Sequence, residues 1–208
     1  MSVINSDLRN YWTHKGHEFG LCLTNPNKSL YYINIPKNAS TFIKHEFERL
    51  GWEYSNYYDY NSSKKIIVVL RDPVDRWISG ITEYLKLYYP NLNTLSCDFM
   101  DHIFTQITLD DHTEKQIYFI NGVDLDKCIL LKVNYNLGHN LNKVLSELDI
   151  NNNFDSISKE YVSDISEKHL KFKKQILKYI DDRPEVILNI KKHFAADYNL
   201  INQIKFYE

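Results

Sequence analysis

The chain has 208 residues, 43% of them hydrophobic and 25% charged, with six glycines and five prolines. This is ordinary composition for one globular domain, and it excludes collagen-like, mucin-like and disordered classes. A formal net charge of −2 argues against a nucleic-acid partner, while a local basic pocket for a small anion stays open.

The three cysteines, Cys22, Cys97 and Cys128, include no close pair, so neither a disulfide framework nor a zinc knuckle is expected and a reducing compartment suits them. The longest aliphatic run is 66–70 and residues 1–10 are polar. No transmembrane or secretory segment is therefore expected, and the chain reads as soluble and cytoplasmic, with a larger anchored parent left open.

Residues 1–29 read as an N-terminal extension. A β-favouring run over 30–35 stops at Pro36 and is followed by a polar loop. Ile43, Phe47 and Leu50 then recur at helical spacing before Gly51, so a helix with a glycine stop is expected. A second extended segment follows over 53–58. The run 65–70 is aliphatic after its lysine and reads as a strand buried on both faces. Next come Asp72 as N-cap, Pro73 at the first helical position and Asp75 in the first turn, opening a helix through Trp77, Ile81, Leu85 and Tyr88 to Pro90.

Residues 91–208 read as mainly helical. Short helices are expected over 99–107 and 113–120, a core strand over 128–133, a helix with Leu141, Val144, Leu145 and Leu148 on one face, and a closing pair over 165–180 and 184–198 broken at Asp181, Asp182 and Arg183. The expected fold is a three-layer α/β domain with a small parallel sheet flanked by helices.

Ligands of open α/β sheets bind beyond the carboxyl ends of the strands, which selects the loops 36–41, 58–63, 71–75 and 133–137. In the first, Lys37, Ser40, Thr41 and the free N–H groups of a helix N-terminus converge on an anion-sized volume; a plain turn capped by Ser40, with Lys37 in solvent, is the competing reading. The Walker pattern G-x-x-x-x-G-K-[ST] is absent. Arg71 follows a buried strand and carries the planar fork suited to an oxyanion, or else pairs with Asp72 or Asp75.

Together, YYINIPKNASTFIKHEF and, 34 residues on from Lys37 to Arg71, VVLRDPVDRWISG resemble the sulfotransferases that use 3′-phosphoadenosine 5′-phosphosulfate, especially the carbohydrate sulfotransferases of the Golgi, heparan- and chondroitin-modifying type. The resemblance implies a P-loop-like sulfotransferase fold. It implies that Lys37, Asn38, Ala39, Ser40 and Thr41 hold the 5′-phosphosulfate and that Arg71 and Ser79 hold the 3′-phosphate; Arg76 falls on the same pattern, with a structural role open to it. DDHTEKQIYFI and HFAADYNLINQIKF are weaker echoes, of a D-x-H-x-x-x-Q segment and of a closing helix with a Tyr/Asp pair. Asn38 stands where the family has glycine or threonine, and the Y-H-G-H segment of one heparan-modifying branch is missing.

Sulfuryl transfer moves charge onto the leaving phosphate oxygen, where a preorganised cation is the useful catalyst. Lys37 is placed for that, and by resemblance it is the catalytic lysine. The acceptor hydroxyl must lose a proton. His112 and Asp59 are the candidate bases, with Glu53 third and at the wrong end of its strand. His45 reads as packed or exposed, and His14 and His17 have no assigned role. No metal is expected, because no clustered ligand set stands out in the sequence. Tyr54, Tyr57, Tyr58 and Tyr60 suit an acceptor groove or a packed strand, and Lys171, Lys173 and Lys174 a solvated helix face.

The function expected is thus transfer of a sulfuryl group from 3′-phosphoadenosine 5′-phosphosulfate to a hydroxyl acceptor, a glycan by resemblance, with 3′-phosphoadenosine 5′-phosphate as product. A P-loop-like kinase and a non-catalytic nucleotide-binding module are the alternatives.

Overall fold

A computed structural model describes residues 21–56, 64–121, 123–150 and 166–207. Among these residues five strands, β1 (Leu21–Thr24), β2 (Leu30–Ile33), β3 (Glu53–Asn56), β4 (Lys65–Leu70) and β5 (Cys128–Lys132), form one sheet in the order β3-β1-β2-β4-β5. The sheet is mixed rather than parallel. Strands β2, β4 and β5 are parallel, but β1 runs antiparallel to both β2 and β3.

The strand β1 corrects the expectation that 1–29 is an extension. Its Cys22 and Leu23 are fully buried, and its turn into β2 is set by Asn25, whose Oδ1 accepts from the N–H groups of Ser29 (2.9 Å) and Leu30 (3.0 Å). Strand β2 ends at Ile33, two residues earlier than its β-favouring run.

Helices pack on both faces. The alternation within β4 decides which side chains meet them. Ile67 and Val69, with Tyr32 and Leu131, pack on Phe42, Ile43 and Phe47 of α1 (Ser40–Arg49) and on Leu141 and Val144 of α5 (Leu137–Glu147). Ile66, Val68 and Leu70 face Phe119 of α4 (Gln116–Phe119) and Leu200 of α8 (Ala195–Gln203). The helix α1 ends as expected, at Gly51 with φ 76°.

A second, all-helical cluster forms where α2 (Pro73–Tyr88) meets α3 (Cys97–Gln106), α6 (Glu167–Asp181) and α7 (Pro184–His193) through Trp77, Ile81, Leu85, Ile103, Phe172, Ile176 and Ile190. The start of α2 follows the local code. Asp72 Oδ1 accepts from the N–H groups of Val74 (2.9 Å) and Asp75 (3.0 Å), ahead of Pro73 in the first turn.

Two helices differ from expectation. Residues 113–115 do not join α4, because the Glu114 and Asp111 carbonyls accept from the Arg76 guanidinium and so are diverted from helical pairing. The segment 184–198 is two helices, broken at Phe194, whose ring is buried in the helical cluster. The break turns Asp197 toward α4, where its carboxylate accepts from the N–H groups of Gln116 (2.9 Å) and Ile117 (3.0 Å). Among the described residues no helix is long and apolar enough to cross a membrane.

Candidate functional site

The loop 36–39 connects β2 to α1 at the carboxyl ends of the parallel strands. Lys37 (φ 67°) and Ala39 (φ 59°) both take left-handed backbone conformations, each costing about 1–2 kcal/mol for a residue with a Cβ. Such strain persists where the surroundings impose it, and it concentrates at ligand-binding loops. The N-cap of α1 is Ala39, with no capping side chain and no acid in the first turn. Ser40 therefore does not cap the helix, and the N–H groups at its start face outward with the positive end of the dipole.

Arg71 closes the far side. Its Nη1 donates to the Lys37 carbonyl at 3.1 Å, so the two motifs separated in sequence share one wall. Gln116 locks them: its Oε1 accepts from the Arg71 N–H (3.0 Å) and from Asn38 Nδ2 (2.7 Å), and its Nε2 donates to the Arg71 carbonyl (2.9 Å). Asn38 is fully buried, with Nδ2 also on the Val69 carbonyl (2.8 Å) and its N–H on the Ile35 carbonyl (3.2 Å). It is a strut beneath the loop, with its donors engaged by the Val69 and Ile35 carbonyls and Gln116 Oε1. Arg76 is likewise buried and holds the Pro36 carbonyl through Nε at 2.9 Å.

The ammonium of Lys37 pairs with Glu83 Oε2 at 3.4 Å, with the two side chains only 13% and 16% exposed. Burial pulls the lysine below its ordinary range, Glu83 opposes this, and Arg71 and Lys86 add to the burial. Burial would raise the Glu83 carboxyl, but Lys37 and Lys86 outweigh it and hold it below the ordinary carboxylate value. Ser79 is half-buried on α2 and stands one turn before Glu83 on the same helix face. Burial also lowers the Arg71 guanidinium, while Asp75 and Asp72 favour its charge.

His112 lies at the end of this group. Its Nδ1 is 2.8 Å from Asp110 Oδ2 and 3.0 Å from Asp111 Oδ1. Burial would lower it, yet the hydrogen bonds and charges of the two aspartates push it up to about 9. The two aspartates thus favour the protonated ring, which works against the part of base expected of His112. Asp110, Asp111 and His112 bring one ligand atom each within 4.8 Å of one another, a cluster the sequence reading passed over. Nδ1 stands between the two carboxylates, within hydrogen-bond distance of both.

Glu53 pairs with Thr24 at the end of the sheet opposite the loop, which removes it from the site as its strand position suggested. Asp59, with Tyr57, Tyr58, Tyr60, His14 and His17, lies outside the described residues. His45 is exposed beside Glu46, and Lys171, Lys173 and Lys174 form a solvated face of α6. Two residues enter unannounced. Glu83 carried a legible signal, four residues after Ser79. His169, in the first turn of α6, carried none; it is 8% exposed, its Nδ1 finds no hydrogen-bond partner among the described residues, and after burial Lys37 and Glu83 act on it most.

In comparisons with known proteins, no family model, no curated protein and no solved structure matches this chain.

Proposed function

We propose that the chain is a sulfotransferase that takes the sulfuryl group of 3′-phosphoadenosine 5′-phosphosulfate and delivers it to a hydroxyl of a carbohydrate acceptor, on a P-loop-like sulfotransferase fold. The observation that carries the reading is the 3.1 Å contact from Arg71 to the Lys37 carbonyl. It makes one wall of the two segments that resemble phosphate-binding motifs, at the sheet end where α/β proteins bind ligands.

The residues suit the donor. The N–H groups at the start of α1, with Ser40 and Thr41, face the 5′-phosphosulfate, and the αL positions at Lys37 and Ala39 shape the loop around an anion. Lys37 neutralises the phosphate oxygen as the sulfuryl group leaves it, a contribution that grows as charge develops. Arg71 and Ser79 take the 3′-phosphate. Asn38 contributes through the loop it braces.

Calorimetry with 3′-phosphoadenosine 5′-phosphate, adenosine 5′-phosphosulfate and magnesium-ATP, followed by transfer of labelled sulfate to a panel of glycan, lipid and small alcohol acceptors, tests the proposal. Preference for the nucleotide bearing a 3′-phosphate, with transfer, is the expected result. Preference for magnesium-ATP makes the chain a kinase, and nucleotide binding without transfer to any acceptor makes it a binding module.

A further inference from the structure

The proposed transfer needs a group that takes the acceptor's proton, and the carboxylate paired with Lys37 is that of Glu83, at 3.4 Å. We propose that Glu83 is that group, placed by its ion pair with Lys37 so that its carboxylate becomes free when the donor engages the lysine. The inference rests on the sulfotransferase reading above.

Geometry carries it. Glu83 Oε2 is 3.4 Å from Lys37 Nζ and Oε1 is 3.5 Å from Lys86 Nζ, so one carboxylate divides its oxygens between two ammonium groups. Its position four residues after Ser79 puts it about 6 Å farther along the helix face proposed to meet the 3′-phosphate. The carboxylate therefore stands beside the lysine proposed to meet the leaving oxygen.

The charges around Glu83 come from every side: Lys37 from the loop, Lys86 from its own helix, His112 from the segment after α3 and His169 from α6. The first three hold the Glu83 carboxyl below its ordinary value and so favour the ionised form, which can accept. When Lys37 is drawn to the donor phosphate, Oε2 loses its partner and presents a lone pair. Binding of the donor thus prepares the base, and an acceptor arriving first meets a carboxylate already occupied.

The step balances. The acceptor O–H bond breaks and its proton passes to Glu83 Oε2; the acceptor oxygen forms a bond to sulfur; the bond from sulfur to the bridging phosphate oxygen breaks, and its electron pair stays on that oxygen opposite the Lys37 ammonium. Nothing is oxidised or reduced.

The experiment compares wild type and Glu83→Gln on two acceptors, a sugar alcohol and 4-nitrophenolate, which arrives already deprotonated. Circular dichroism and affinity for 3′-phosphoadenosine 5′-phosphate serve as controls for fold and donor site. General-base catalysis contributes about 10²–10⁴-fold, so kcat/KM for the sugar alcohol should fall by that order while the loss with the phenolate is at least about tenfold smaller. An equal fall with both acceptors would show that Glu83 only positions Lys37, and an undiminished rate with the alcohol would remove it from the chemistry; either overturns the inference and leaves the sulfotransferase reading standing. A wild-type protein that transfers sulfate to neither acceptor nor any other overturns both.

Discussion

Arg76 Nε donates to the Pro36 carbonyl at 2.9 Å, and the same guanidinium takes the carbonyls of Asp111 (3.1 Å) and Glu114. One buried side chain thereby ties the loop ahead of α1 to the segment that bears His112. Its charge is compensated by Asp197, Asp111, Glu114 and Asp110, although burial still lowers it to about 10. Arg76→Met would leave three buried carbonyls and a set of acids without their partner. A loss on the order of 3 kcal/mol or more in urea unfolding is expected, with Arg76→Lys intermediate because an ammonium cannot span the three acceptors. A Met variant with an unchanged midpoint would contradict the role.

Gly80 is required by the same junction. A Cβ at that position would stand 2.1 Å from the His112 carbonyl oxygen, a main-chain atom that cannot swing away. Gly80→Ala should therefore destabilise, against the usual gain of replacing a helical glycine, by about 3 kcal/mol. Thermal unfolding of the variant measures it, and a higher melting temperature would refute the close approach.

The left-handed backbone of Lys37 separates side-chain chemistry from loop strain. Lys37→Ala keeps the strain and removes the cation; Lys37→Gly removes both. We expect both to lose transfer by about 10²–10³-fold or more, while the glycine variant is the more stable of the two by about 1 kcal/mol. Equal stability would mean that the loop changes conformation once the ammonium is gone.

For the nucleotide, Arg71→Ala and Ser79→Ala should weaken 3′-phosphoadenosine 5′-phosphate by roughly 10- to 150-fold per lost charge-assisted bond, and adenosine 5′-phosphosulfate much less. Arg71 also supports the Lys37 carbonyl, so its variant should lose some affinity for both nucleotides. The Ser79 variant gives the cleaner contrast in calorimetry, and equal losses there would detach it from the 3′ group.

How far these features could be read from sequence depends on how local their physics is. The Asp72-Pro73 start of α2 and the Gly51 stop of α1 are decided within a few residues, and both stand in the structure where the pattern put them. Strand β1 is only the four residues LCLT, too short for a period to show, and its direction depends on partners found elsewhere. Missing it made the sheet look parallel. That the loop 36–41 and Arg71 lie at one end of the sheet was legible, but their contacts were not: that Asn38 braces the loop from below depends on Gln116, 78 residues away. The state of His112 depends on which atoms of Asp110 and Asp111 face it, which spacing does not reveal.

His112 links the site to pH. Its folded-state value is raised from 6.5 to about 9, because both aspartates favour the imidazolium more than burial disfavours it. A raised value means that the folded state binds the proton more tightly than the unfolded chain does. The stabilisation is then fully present below about pH 6.5 and is lost as pH rises through about 9. Its size is at most about 3 kcal/mol for a shift of this order. Unfolding free energies of wild type and His112→Gln, measured from pH 6 to pH 9.5, should therefore converge as pH rises, the wild type losing most of its advantage across that window. Curves that stay parallel would show that the imidazole is not held charged by Asp110 and Asp111. The ring would then be neutral at neutral pH, the state in which a histidine can accept a proton.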